Sequence, residues 1–414
     1  MTTTRPLEGK TVIDLTTALA GPYATLLLAG LGARVIKVEN PTHGGDTSRN
    51  NSPYVTADGL KVTRQSPDDM SVSMMLRGRN KQSMTLNLKS ENGREIFHDL
   101  VKNADIVVEN YSAGVTERLG IDYASVRELN PALVYTSISG FGAQGTAGGT
   151  GKAMDTIIQA LSGVMMTAGM PGEGPIRFGL PVGDLVAPLF GVIGTLAAVV
   201  HAERTGEGQH VDVSMLGALT SLVACEPFDA FEEIGLPLRT GQFVPRLAPF
   251  GTFTASDGWF ALCAPTDAFA RGVLTAVGMP QLADDPRFEH RDGRVAHAAE
   301  LHTMIAQWAQ HLPVADIVSR LEAAGVPAAP VRSTADAVRD PLVLARGEVV
   351  QLEHPLFGAP EGLYGTGVPI RFSSTEATLT EPAPRLGQHT GAVLEELLGY
   401  STEKVAALRS DGSL

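Results

Sequence analysis

The chain has 414 residues, which at ~150 residues per domain suggests two or three domains. Hydrophobic residues make up 43% of it, enough for large cores and too many for a disordered chain. Thirty-two basic residues against 45 acidic ones give a net charge of −13, and no basic run offers a surface for nucleic acid or an anionic membrane. Two cysteines, Cys225 and Cys263, cannot build a disulfide framework and fit a reducing cytoplasm. Zinc has no Cys pair or HExxH run to use. The 45 Gly and 26 Pro lack a collagen-like period and read as many tight turns.

MTTTRPLEGKTVIDL carries no apolar stretch of the secretory kind. Thr11 to Leu15 reads as a strand, and a helix follows from about Pro22, where a first-turn proline is favoured. Gly30 and Gly32 end that helix, and Arg34 to Val38 reads as a second strand. This strand–helix–strand unit predicts the start of a parallel sheet. Strands are expected at Ser83 to Leu88, Ile106 to Val108 and Leu133 to Ile138, and helices at Ser90 to Lys102 and Tyr123 to Leu129. In the first of these helices Ile96, Phe97, Leu100 and Val101 point inward. The alternation argues for a doubly wound, Rossmann-like α/β domain.

From Gly140 to Gly183 the composition is Gly-rich, with a helical stretch from Asp155 to Met165. Leu185 to Val200 is apolar but carries Pro188, Gly191 and Gly194 and falls short of the roughly 18 apolar residues of a membrane span, so a buried core helix is expected. A strand and helix run through Val223, and Thr252 to Cys263 predicts a hairpin turning at Asp257-Gly258. Helices fill Asp267 to Gly325, Pro327 to Val331 is extended, and a terminal helix lies at Thr390 to Leu398. The expected organisation is a large α/β domain from residues 1–224 and 327–414, with a smaller α+β domain at 225–326.

Several familiar chemistries fail on spacing. The first turn, Ala18-Leu19-Ala20-Gly21-Pro22, lacks the GxGxxG that lets a backbone approach a dinucleotide, although Glu39 ends the second strand where a ribose would lie. That helix N-terminus still offers free N–H groups to another phosphate-bearing ligand. GTAGGTGKAM has five residues between Gly145 and Gly151 and Ala153 after Lys152, so it is not a Walker loop. No G-x-S-x-G elbow occurs. His290, His297 and His302 lie in a polar helical region and read as solvated surface residues.

Asp184 opens the long apolar helix after Pro181-Val182-Gly183. An aspartate there commonly caps the helix. A carboxylate at the mouth of a buried helix, beside a glycine, is also placed to act as a covalent nucleophile, with the helix N-terminus keeping it ionised. Asp155, in KAMDTIIQALSG, has the same two readings.

Taken together, LEGKTVIDLTTALAGPYATLLLAGLGARVIKVE, NKQSMTLNL, DIVVENYSAGVTERLG, SISGFGAQG and RTGEGQHVDVSM resemble, in order and spacing over nearly the whole chain, the family III CoA-transferases. That family includes formyl-CoA:oxalate and carnitine CoA-transferases and is related to the α-methylacyl-CoA racemases. The resemblance implies a Rossmann-like large domain plus a small domain, and two interlocked chains forming a homodimer. It implies that Asp184 in PVGD is the nucleophile of a CoA transfer from an acyl-CoA to a small carboxylic acid. Neither ATP nor a metal is required, and coenzyme A enters as the substrate thioester rather than as a bound cofactor.

It also implies CoA contacts at Leu19 and Ala20, at Asn40, at Leu86, Asn87, Leu88 and Lys89, at Asn110, Tyr111 and Ser112, at Arg118, and at Lys152, Ala153, Met154 and Asp155. Lys89 and Arg118 are the natural partners of the CoA phosphates. The backbone N–H groups of the glycine-rich loop around Gly148 to Gly151 are candidate donors to the oxyanions. Leu19 stands where formyl-CoA transferases often have Gln, Asn40 replaces an Arg, and RLAPFGTF runs into the hairpin without their glycine-rich lid. These departures argue against formyl-CoA and oxalate. A racemase places a His and a Glu where this chain has Met154 and Thr266, so two-base proton exchange lacks its groups. A non-catalytic acyl-CoA binding protein is the third reading, and the retained Asp184 argues against it.

Overall fold

A computed structural model describes residues 4–143, 145 and 153–414. The chain divides into two compact units: Met1–Ser162, Phe178–Leu222 and Val338–Leu414 form the first, and Gly163–Arg177 with Val223–Ala337 the second. The second unit thus extends beyond 225–326 and takes in a short segment from before the long apolar helix.

In the first unit β1 (Thr11–Asp14), α1 (Ala20–Gly30) and β2 (Arg34–Glu39) form the opening unit. A small antiparallel sheet of β3 (Tyr54–Thr56), β4 (Gly59–Lys61) and β5 (Met70–Ser71) leads into α2 (Val72–Arg77). Then come β6 (Lys81–Thr85), α3 (Glu91–Val101), β7 (Ile106–Glu109), α4 (Val115–Leu119), α5 (Tyr123–Val126) and β8 (Val134–Ser139). α6 (Asp155–Leu161), α7 (Val182–Thr205), β9 (His210–Ser214) and α8 (Met215–Val223) follow.

The main sheet has six strands in the order β6-β2-β1-β7-β8-β9, every pair parallel. Counting only these strands, that is the doubly wound order in which the winding reverses between the first strand and the fourth, here β1 and β7. Ligands in such sheets bind outside the carboxyl ends of the strands at that reversal, which here means the segments after Asp14 and after Glu109. Ile96, Phe97, Leu100 and Val101 of α3 are buried as their spacing predicts. Removing a side chain such as Phe97 there costs about 3–5 kcal/mol. The predicted strand at Ser83 to Leu88 ends early, at Thr85. Met84, Leu86 and Leu88 are all buried, so the alternation outlasts the ladder.

α7 is 24 residues, longer than its apolar segment suggests, and its length and composition would suffice to cross a membrane. The expectation of a buried core helix holds for one face only. Gly183, Ala187, Pro188, Gly191, Val192, Thr195, Ala198 and Val199 are buried, and the helix packs on α1, β8 and β9. Gly191 and Gly194 permit this approach, because a Cβ there would lie 2.9 Å from Ile138 and 2.6 Å from Val211. Leu189, Phe190, Ile193 and Val200 face outward and are exposed.

The second unit contains α9 (Phe228–Glu233), the hairpin β10 (Phe250–Thr254) and β11 (Trp259–Cys263), α10 (Asp267–Ala276), α11 (Arg291–Ala296), α12 (Ala298–Ala309), α13 (Val314–Ala323), β12 (Ala328–Pro330) and α14 (Thr334–Ala337). β11 pairs antiparallel with both β10 and β12. The buried Arg239 ties in the segment before α7 by donating to the carbonyls of Ala168, Glu173 and Gly174. His302 corrects its reading as a surface residue. It is 8% exposed and stacks on Phe243 at 4.1 Å between ring centroids, with Phe253 edge-on. Burial holds its imidazole down at about 4. The first unit closes with α15 (Pro341–Ala345), a two-stranded sheet of β13 (Val349–Gln351) and β14 (Tyr364–Thr366), α16 (Thr390–Leu398) and α17 (Thr402–Ser410).

Candidate active site

At the winding reversal the chain leaves β1 into a turn held by buried charges. Lys81 Nζ donates to Asp14 Oδ2 at 3.0 Å, to the Pro22 carbonyl and to Thr25 Oγ1, and Asp14 Oδ1 accepts the Thr16 N–H at 2.9 Å. Lys37 Nζ donates to the Thr16 carbonyl at 2.9 Å and pairs with Asp46 Oδ2 at 2.7 Å. Asp46 Oδ1 in turn accepts the Ala18 N–H at 3.0 Å. Burial disfavours the Asp46 charge, but Lys37 and the backbone N–H groups hold its carboxyl well below the usual range. Asn110, after β7, clamps Thr17 from both sides, accepting its N–H at 2.8 Å and donating to its carbonyl at 2.9 Å. These contacts fix Ala18 at φ 68°, a left-handed conformation that disfavours a residue with a Cβ. Gly21 lets α1 start close to the turn, since a Cβ there would lie 2.4 Å from that of Thr16.

This turn, the segment after β7, the end of β8 and the starts of α6 and α7 line a cavity of about 330 Å³. Of the sequence candidates it brings together Leu19, Ala20, Asn110, Tyr111, Ser112, Ala153, Met154, Asp155 and Asp184. Ser139 and Met215 line it as well; both lie in segments that carry the family resemblance, SISGFGAQG and RTGEGQHVDVSM, but the resemblance singles out neither as a site residue. A neighbouring cavity of about 310 Å³ holds Asn40, Leu86, Leu88 and Lys89. Tyr111 lines both. Asn87 lines neither, its side chain accepting the Lys89 N–H and donating to the Gly412 carbonyl. Arg118 is exposed in the last turn of α4 and also lines neither. Lys152 and the loop from Gly148 to Gly151 lie outside the described residues.

The two aspartates have different tasks. Asp155, 8% exposed, accepts the Gly183 N–H at 2.9 Å through Oδ1 and the Gln159 amide at 2.8 Å through Oδ2. Gly183 eases this approach, because a Cβ would lie a tight 3.2 Å from Asp155 Oδ1. Asp184, the third residue of α7, is not its N-cap, and among the described residues no hydrogen bond reaches its carboxylate. Burial, and then the charge of Asp155, push it up to about 6, against the opposing charge of Arg77. Thr266, in the second unit, caps α10 by accepting the Phe269 N–H.

The CoA-transferase family III model matches residues 7–390. The succinate–glutarate CoA-transferase of Agrobacterium fabrum is 35% identical over 95% of this chain and 96% of its own length. The succinyl-CoA:mesaconate CoA-transferase of Haloarcula hispanica is 37% identical over 96% of this chain and 98% of its own. A CaiB/BaiF family protein from Brucella suis has a similar structure, with a TM-score of 0.80 and 32% identity over 95% of this chain and 99% of that one. The reversal-point cavity and the matches along the chain agree: the chain belongs to CoA-transferase family III, enzymes that move coenzyme A from an acyl thioester to a carboxylate.

Proposed function

We propose that Asp184 is the nucleophile of CoA transfer between small dicarboxylic acids. The observation that carries this is the unpartnered Asp184 carboxylate in the reversal-point cavity, while Asp155 is occupied in capping. An Asp184 oxygen attacks the thioester carbonyl of the donor, the C–S bond breaks, and an acyl-aspartyl anhydride and CoA thiolate result. The thiolate attacks the Asp184 carbonyl carbon, releasing the donor acid and leaving an aspartyl-CoA thioester. The acceptor carboxylate attacks that thioester, and the two steps run in reverse. The protein's part is to hold the thiolate near and to keep water from both intermediates.

In this reading CoA occupies the two neighbouring cavities, its phosphates toward Lys89 and Arg118 and its thioester passing Tyr111. The dicarboxylate class is supported by the succinate, glutarate and mesaconate in the relatives' names. Two copies pair through surfaces that include the exposed face of α7, where Leu189, Phe190, Ile193 and Val200 have no partner in one chain. The reading is tested by incubating the chain with succinyl-CoA and a panel of carboxylates and following new acyl-CoA by mass spectrometry. Hydroxylamine trapping should place a hydroxamate on Asp184. Absence of transfer to every acceptor, or a label on Asp155, overturns it.

A further inference from the structure

A dicarboxylate brings a second negative charge into the reaction cavity, and that charge is not consumed in the transfer. The described residues lining the cavity include the carboxylates of Asp155 and Asp184 and no lysine or arginine. A cation close behind the wall would favour that second carboxylate.

Arg77 ends α2, and its Nη1 donates to the carbonyl of Ala18 at 3.2 Å. Ala18 lines the cavity with Asp184. That carbonyl is the only hydrogen-bond partner of the Arg77 side chain among the described residues, and no ion pair forms at it. The acids that feel its charge are Asp46 and Asp184. Asp46 is taken by Lys37 at 2.7 Å. Most of the guanidinium fork is thus unspent, half-buried against the Ala18 turn that lines the cavity with Asp184. Arg79, two residues on, contrasts with it: that side chain is 3% exposed and donates to the carbonyls of Thr366 at 2.6 Å and Leu76.

We propose that Arg77, held against the Ala18 turn, receives the free carboxylate of the dicarboxylic substrate while the other carboxylate reacts at Asp184. This rests on the CoA-transfer reading above. The planar fork of an arginine matches a carboxylate with two parallel N–H donors, a geometry lysine cannot reproduce.

The test compares succinate with butyrate, which keeps four carbons and loses one carboxylate, using acetyl-CoA as donor. Calorimetry of succinate binding runs alongside. Losing a charge-assisted pair should cut the succinate-over-butyrate preference in kcat/KM by about 10- to 100-fold in Arg77→Gln. Arg77→Lys should recover part of it, and the KM for acetyl-CoA should stay near the wild-type value. Succinate binding in the calorimeter should weaken in parallel. An unchanged preference, or an equal loss with both acceptors, overturns the proposal, since a residue that merely braces the Ala18 turn would give the latter. A wild-type chain that binds no succinate overturns it too. If the wild type transfers CoA to neither acceptor, from acetyl-CoA or from glutaryl-CoA, but binds succinate through Arg77, the transfer reading falls and the carboxylate site stands.

Discussion

The Asp155 carboxylate accepts the Gly183 N–H at 2.9 Å, and so performs at the start of α7 the capping that an aspartate at 184 would ordinarily perform. Gly183 admits that close approach, and the next residue, Asp184, is left with its carboxylate unbound in the cavity. A glycine–aspartate pair at this helix start thus leaves one carboxylate bonded and the other open to the cavity.

Asp155→Ala should leave the buried Gly183 N–H without its acceptor and cost about 1–3 kcal/mol of stability. Asp155→Asn, which keeps a carbonyl oxygen, should recover much of that in urea unfolding. Both variants remove the like charge beside Asp184, so its carboxyl should fall from about 6 toward the ordinary range. The acid limb of the rate profile should move to lower pH in both; an unmoved limb contradicts the coupling.

Asp184→Ala should lower transfer by about 10⁴-fold or more, the scale expected when a covalent nucleophile is removed. Because no hydrogen bond is lost, its unfolding midpoint should match the wild type at pH 4, where the Asp184 carboxyl is protonated, and CoA binding should persist. Turnover within tenfold of wild type, roughly a 1.4 kcal/mol effect on the barrier, is incompatible with the assignment.

Much of this architecture is legible in the sequence, because the parallel strands are short apolar runs separated by helices with clear inward faces. β1, β2, β7 and β8 fall within a residue or two of their expected bounds. Asp184 and Asp155 stand out for the same local reason, acids at the start of apolar helices. The support of the first turn is not legible. Lys37, within the strand expected at Arg34 to Val38, is 1% exposed, paired with an acid from a loop nine residues on and close to Asp14. Such pairing depends on tertiary placement that no local pattern carries. β3, β4 and β5 are two or three residues each, too short for an alternation to show. His302 looks polar by its neighbours in the chain, and only the packing of Phe243 and Phe253 makes it a core residue.

The Asp184 shift carries a sign for both rate and stability. The attacking form is the carboxylate, so activity should fall as pH drops through about 6. A carboxyl raised above its unfolded value stabilises the fold when protonated, and that contribution is lost as pH rises through about 6. Asp184→Asn should therefore melt above the wild type at pH 8 and level with it at pH 4. A variant less stable than wild type at pH 8 would mean that the ionised carboxylate has a partner.

His302 titrates the other way. Its imidazole is held at about 4, below the ordinary 6.5, so the neutral form stabilises the second unit. That contribution is complete above the unfolded value and is lost as pH falls from 6.5 toward 4. His302→Leu removes the buried ring nitrogen, Nε2, that has no partner, and it should flatten the loss of stability between pH 6.5 and 4.5. Parallel melting curves for the two proteins over that range would count against the core histidine as its source.

The outward face of α7 provides the last prediction. Ile193 is 63% exposed in one chain, beside Leu189 and Phe190, on a helix whose other face is packed against the sheet. Leaving such a stripe in water forgoes about 25 cal/mol per Å² of apolar surface, which pairing with a second copy recovers. The wild type should sediment as a dimer at micromolar concentration. Ile193→Glu puts a charge at the centre of that contact without touching the buried face, so far-ultraviolet circular dichroism should be unchanged. Its dissociation constant should rise by at least about 100-fold, the scale of burying one unpaired charge at 3 kcal/mol or more. A wild type that sediments as an active monomer would end the dimer reading, and an Ile193→Glu protein that dimerises as tightly as wild type would move the interface elsewhere.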